Sequence, residues 1–335
     1  MLRWFVAGWV CLLALRVQAQ SLGTAYAAVK LNGLYGYINE RGKVMIQPQF
    51  DEAGPFQGDY AMARKGDKYG VIGRDGKWVV PPQYQTPIVF SEGLAPVVRS
   101  YRDSVAYLEP TGKLRIGHRF EEGGGFRAGL APVRHDRLWG YIRPDGSYAI
   151  APRFQFADQF HEELAVVQQE RKFGAITPKG QVVVPFEWEN ALYFSEGLLP
   201  VMKLTKWGYV NKGGAIVIRG KYDEAWPFTE GLAAVNERGR WGWIDRTGKR
   251  VVAPQFLVVR GFRSGLAAVQ AEDGTWGYIN TQGKVAIPPQ FEAALDFAYG
   301  FAPVRLGGKW GYITTEGDFF LVPQYEDAHS FAGGR

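Results

Sequence analysis

Lys206-Trp207-Gly208-Tyr209-Val210, and again Lys309-Trp310-Gly311-Tyr312-Ile313, are two copies of one short apolar string. The string returns nine times with small changes. Its glycine position falls at Gly36, Gly70, Ala106, Gly140, Gly174, Gly208, Gly242, Gly277 and Gly311, with spacings of 34, 36, 34, 34, 34, 34, 35 and 34 residues. A fixed period of this length is the mark of a repeat architecture, and it settles the fold before any other pattern is read.

One unit, from Gly231 to Phe262, shows what is repeated. Gly231-Leu232-Ala233-Ala234-Val235 leads through a polar turn to Arg240-Trp241-Gly242-Trp243-Ile244. A second turn, Asp245-Arg246-Thr247-Gly248, leads to a third apolar stretch from Lys249 to Phe256. Short segments rich in Val, Ile, Trp and Tyr, bounded by Gly, Asn, Asp or Pro, are strand chemistry. Helix-pair repeats have the same length but fail here. The chain has 43 glycines in 335 residues, each costing a helix interior close to 1 kcal/mol relative to Ala. Pro48, Pro82, Pro152, Pro254, Pro289 and Pro323 recur at one phase of the third segment, where they would break a helix and where a strand edge tolerates them.

Two aromatic phases predict the core. Phenylalanine recurs at Phe56, Phe90, Phe126, Phe160, Phe194, Phe228, Phe262, Phe297 and Phe331. An aromatic recurs at Phe50, Tyr84, Phe120, Phe154, Trp188, Tyr222, Phe256, Phe291 and Tyr325. Rings at a fixed phase stack on neighbouring units, each supplying about 1.5–3 kcal/mol when fully buried. In the Trp-Gly pair, alternation puts Trp207 and Tyr209 on one face and Gly208 and Val210 on the other. Glycine there admits a neighbouring ring or permits a bulge, and either use excludes a larger side chain. The third unit, about residues 94–126, is degenerate: Val105 and Ala106 replace the Trp-Gly pair.

The recurring Trp-Gly-Tyr-Ile, Gly-Lys, Ile-Pro-Pro-Gln-Phe and Phe-Ser-Glu-Gly-Leu-Ala pieces resemble the WG (KWG) repeat of bacterial proteins, over essentially all of residues 22–335. The resemblance implies an all-β repeat protein, often exported, and brings no catalytic residues with it. Three strands in 34 residues favour an open, superhelical array of nine units, since propeller blades usually take four strands and 40 or more residues. A closed, propeller-like ring is the alternative. Neither end carries the polar cap an open array needs, and the chain stops after Phe331, where the strand equivalent to Tyr26-Ala27-Ala28-Val29 would begin.

Residues 1–19 read as a secretory signal peptide: Arg3, an uncharged stretch from Trp4 to Leu15, and a small-residue site ending at Ala19. Residues 20–335 then form a single array without a linker, placed in the periplasm, at the cell surface or in the medium, with no membrane span after cleavage. The only cysteine, Cys11, lies in the leader, so the mature chain has no thiol to offer a disulfide or a metal. Net charge is +6, or +4 once Arg3 and Arg16 are removed, and it is interspersed along the chain. A nucleic-acid partner would need clustered Lys and Arg.

Candidate chemistry is sparse. His118, His135, His161 and His329 fall at four different phases, so a metal site is not expected, and no cofactor fingerprint is present. Acids follow the aromatic phase at Asp51, Glu121, Glu189, Asp223, Glu292 and Glu326. Bases precede the tryptophan phase at Lys68, Lys172, Lys206, Arg240 and Lys309. Salt bridges between units account for both rows; a glycosidase acid pair is the competing reading. Trp78, Trp188 and Trp226 depart from the commonest residue at their phases and are the candidate ligand-binding residues. The expectation is a non-catalytic, exported scaffold whose extended surface binds a protein or an envelope glycan. A polysaccharide hydrolase and a purely structural envelope component are the alternatives.

Overall fold

The computed structural model describes residues 24–100 and 104–333; the expected leader, residues 1–19, lies outside them. Every regular element among the described residues is a β-strand, and the strands form nine antiparallel sheets, one per repeat. Blade 6 is typical. A two-residue lead-in strand, Asn190–Ala191, pairs with a first long strand, Leu198–Lys203, which pairs with the second, Lys206–Asn211, and that with the third, Ile216–Tyr222. The unit expected to be three-stranded is therefore four-stranded in seven of the nine sheets. The lead-in strand escaped the sequence reading because two residues are too few to show alternation.

The Trp-Gly glycine serves a bulge. Trp207 faces Tyr222 and Tyr209 faces Ile218, so three residues intervene on the third strand where one intervenes on the second. The surplus backbone bends across Gly208, and a Cβ there would lie 2.5 Å from the Ile218 carbonyl oxygen and 2.6 Å from the Gly220 nitrogen. The recurrent proline occupies this bulge in other blades, where no ladder donor is required. Blade 3, the degenerate unit, keeps the same bulged register around Ala106 but has no lead-in strand.

Both aromatic phases are buried, with one exception each. Phe56, Phe126, Phe160, Phe194, Phe228, Phe262, Phe297 and Phe331 are buried, whereas Phe90 is half-exposed and Ile88 fills in beneath it. In the second phase only Phe256 is half-exposed. The tyrosine of the repeated string links one blade to the next. Tyr209 stacks edge-on with Phe228 at 5.0 Å, and its hydroxyl donates to the Trp226 carbonyl at 2.9 Å. Tyr37, Tyr107, Tyr141, Tyr278 and Tyr312 repeat that bond with the residue 17 positions ahead. Burial pushes these phenols far above the ordinary tyrosine range, so they remain donors at any working pH.

The array is closed, not open. Asp327–Ala328 at the C-terminus is the lead-in strand of blade 1, paired with Tyr26–Leu31. The seam repeats the bonds found inside the chain. Glu326 N–H donates to Lys30 and His329 N–H to Ala28, as Asp223 and Trp226 donate to Asn236 and Ala234, all at 2.9 Å. Tyr312 reaches the His329 carbonyl across the seam at 2.8 Å. The chain is a nine-bladed β-propeller, and the absent polar caps are explained because a ring has no ends to cap.

A belt of turns joins the blades. Glu92, Glu162, Glu196 and Glu230 each sit at φ between 50° and 52°, a left-handed conformation that costs a non-glycine residue of order 1 kcal/mol. Each carboxylate accepts from the backbone N–H of the next blade's turn: Gly129 and Gly197 at 2.9 Å, Gly231 at 3.1 Å, and Ser264 with Gly265 at 2.7 and 2.8 Å. These strained glutamates couple neighbouring turns, as the tyrosines couple neighbouring strands.

Gly208→Val forces branches into the Ile218 carbonyl and lowers unfolding free energy by about 3 kcal/mol, while Tyr209→Phe costs about 1 kcal/mol; urea melts read both. A chain ending at Tyr325 loses the seam strand and melts at a lower temperature than the full chain by calorimetry.

Candidate functional site

The recurring acids serve the fold. Asp51, Asp223, Glu292 and Glu326 accept backbone N–H bonds from Gly66, Arg238, Gly308 and Gly33, at 2.7, 2.6, 3.1 and 3.0 Å. Lys206 meets Asp223 at 2.5 Å and Lys172 meets Glu189 at 4.0 Å, each pair within one repeat and not between units as expected, and Arg240 meets Glu272, outside the acid row, at 3.2 Å. The other pairs use different bases: Arg64 with Glu52, Arg134 with Glu121 and Glu122, and Arg305 with Glu292. These arginines stand near the end of the first long strand; Arg64 and Arg134 lie opposite Glu52 and Glu122 in the ladder, and Arg305 lies opposite Ala293, next to Glu292. That register is not visible without the lead-in strand.

The histidines lie in four different blades. His118 bonds the Ser104 carbonyl, His135 faces Asp136, His161 stacks on Tyr193, and His329 lies beside Tyr35. No group of three or more potential metal ligands occurs among the described residues.

The three singled-out tryptophans have different surroundings. Trp78 is half-buried edge-on against Phe50 at 5.4 Å, filling the join between blades 1 and 2. Trp188 is 5% exposed, so its faces are not available for stacking on a sugar ring. Trp226 is half-buried, tilted on Trp241 at 4.9 Å, and lines a groove of about 330 Å³.

That groove runs over the lead-ins of blades 7, 8 and 9. Its polar and aromatic lining is Trp226, Arg260, Trp276 and Asp296, with Val258, Val259 and Gly261 as its floor. It forms where the repeat breaks. Blade 8 has Leu257-Val258 in place of the acid pair and lacks a lead-in strand, retaining one bridge from Val259 to Val269. Leu257 and Val258 are 42% and 43% exposed. Arg260 Nη1 stands 4.0 Å from Asp296 Oδ1, an ion pair too long for a hydrogen bond. Arg260 Nε and Asp296 Oδ1 are buried atoms with no hydrogen-bond partner among the described residues. Burial holds the Asp296 carboxyl above the ordinary carboxylate range, against the pull of Arg260 and Arg263.

A donor and an acceptor left unsatisfied side by side are expensive unless a ligand group or water completes them. A hydroxyl can do both, and two indoles flank the place where it would sit. Arg260, Asp296 and Trp276 were not singled out in the sequence. Trp276 stands at the ordinary tryptophan phase. The available signal was the missing acid pair at Leu257-Val258, a polar row interrupted by apolar residues.

Because the folded protein disfavours charge on Asp296, it binds that proton more tightly than the unfolded chain does. Stability therefore falls as pH rises between the unfolded Asp range and the raised folded value. Asp296→Asn is expected to match or exceed the parent in melting temperature at pH 7, the difference closing as pH falls through that window.

The profile of the WG containing repeat matches residues 35–69, 69–99, 107–139, 139–173, 173–204, 207–241, 241–275, 276–310 and 310–335. A search of curated proteins returns no significant sequence match. Among solved structures, a eukaryotic initiation factor aligns at 10% identity and a TM-score of 0.66, covering 92% of this chain and 97% of its own. The dihydro-heme d1 dehydrogenase NirN aligns at 11% identity and a TM-score of 0.52, covering 94% and 76%. At such identities the likeness is one of fold alone. No helix among the described residues is long and apolar enough to cross a membrane.

Proposed function

The chain belongs to the family built from the WG containing repeat, and on that premise we propose that it is an exported, non-catalytic propeller binding an envelope glycan in the groove over blades 7 to 9. The observation that carries this reading is the unsatisfied pair, Arg260 Nε–H and Asp296 Oδ1, between Trp226 and Trp276. A sugar supplies vicinal hydroxyls that accept from the guanidinium and donate to the carboxylate, and an apolar ring face for an indole. At about 330 Å³ the groove stands at the small end of ligand sites, suited to one unit of a longer chain. Export rests on the leader-like residues 1–19.

The hydrolase alternative has less support. Glycoside cleavage takes two carboxylates, and the lining of the groove includes one, Asp296. The recurring acids are engaged with turn amides and arginines.

Calorimetric titration with chitotetraose, cellotetraose and maltotetraose tests the reading. At least one is expected to bind. Trp226→Ala and Asp296→Asn should each weaken it about tenfold, the loss of one hydrogen bond to a charged group or of comparable contact. Failure of all three sugars to bind, or variants binding like the parent, removes the groove as a glycan site; shortening of the oligosaccharide on incubation removes the non-catalytic assignment.

A further inference from the structure

Blades 1 and 6 hold the same crevice, position for position, at different sizes. In blade 1 Val29, Gly36, Tyr37, Ile38, Ile46 and Pro48 border about 60 Å³. In blade 6 the equivalent Val201, Gly208, Tyr209, Val210, Ile218 and Gly220 border about 200 Å³. Two truncations on two strands open it. Val210 stands where blades 1, 2 and 4 have Ile38, Ile72 and Ile142, and Gly220 stands where they have Pro48, Pro82 and Pro152. Both losses fall in the lining of one crevice, which uniform repetition would not produce.

The mouth is also built differently. Lys203, Leu204 and Lys206 border it where blade 1 has Leu31, and Trp188 of the preceding blade lines it as Tyr325 lines the blade 1 crevice. Leu204 is 79% exposed at φ 52°, a bulky apolar residue in a left-handed conformation that such residues avoid. Trp188 is 5% exposed, and its Nε1–H is buried without an acceptor among the described residues. Lys203 Nζ lies 5.4 Å over the Trp188 ring and 2.6 Å from Glu187; Lys206 Nζ lies 2.5 Å from Asp223. An ammonium group has three donors, and each lysine uses one of them on its carboxylate. Apolar walls with ammonium donors at the rim suit a small molecule that is apolar at one end and anionic at the other. Dry apolar cavities of about 150 Å³ hold a benzene ring, so this crevice takes a ring with a short arm.

We infer that the blade 6 crevice binds a small aromatic carboxylate, its ring between Val210, Ile218 and Gly220 and its carboxylate on the ammonium groups of Lys203 and Lys206. The site is independent of the groove over blades 7 to 9. Titration calorimetry of the full chain with phenylacetate, and with phenylacetamide as its uncharged counterpart, tests it. Phenylacetate is expected to bind saturably at one site, and phenylacetamide about tenfold more weakly for want of the charge-assisted bond. Gly220→Pro and Val210→Ile install residues that other blades carry, so both variants should keep the parent's melting temperature while losing about tenfold in phenylacetate affinity as the crevice fills. Absence of saturable phenylacetate binding, equal affinity for the amide, or undiminished binding by both folded variants would overturn the assignment.

Discussion

A single blade cannot bury its own aromatic residues, and this constraint governs the molecule. Phe228 of blade 7 is covered by Tyr209 of blade 6, and the Tyr209 hydroxyl is satisfied only by a carbonyl on blade 7. Each blade therefore completes the one before it. A linear stack of such units leaves rings and phenols unsatisfied at its last member, with the cost of burying or exposing unpaired groups. Joining the ends removes that cost. The seam accordingly reproduces the internal bonds, down to the Tyr312 hydroxyl on the His329 carbonyl.

The polar residues divide according to the same logic. Glutamates in strained turns couple neighbouring blades, and acids after the aromatic phase hold the turn amides. Most of the acids recurring in phase are thus engaged in bonds that hold turns and strands. Positions that leave the phase are where ligand chemistry becomes available: blade 8, which exchanges its acids for Leu257-Val258, and blade 6, which exchanges isoleucine and proline for Val210 and Gly220. The first leaves a buried guanidinium–carboxylate pair unsatisfied; the second widens a crevice. The blade 8 change coincides with the one half-exposed ring of its phase, Phe256, whereas around blade 6 Trp188 and Tyr222 stay buried.

The amino-acid sequence by itself determined the all-β class, the nine units, both buried aromatic phases and the intolerance of the Trp-Gly glycine, since these follow from periodicity and residue chemistry within one unit. It left open whether Gly208 accommodates a ring or a bulge, because that depends on how the third strand crosses the second. The tertiary structure decided in favour of the bulge, and it decided for the ring over the open array. Closure depends on the accumulated rotation between blades, a geometric sum that no single repeat contains. The pairing of Arg260 with Asp296, 36 residues apart on successive blades, was likewise invisible until the lead-ins were set side by side. Local alternation specifies a strand, but only the packing of one blade on the next brings two such side chains to the same groove.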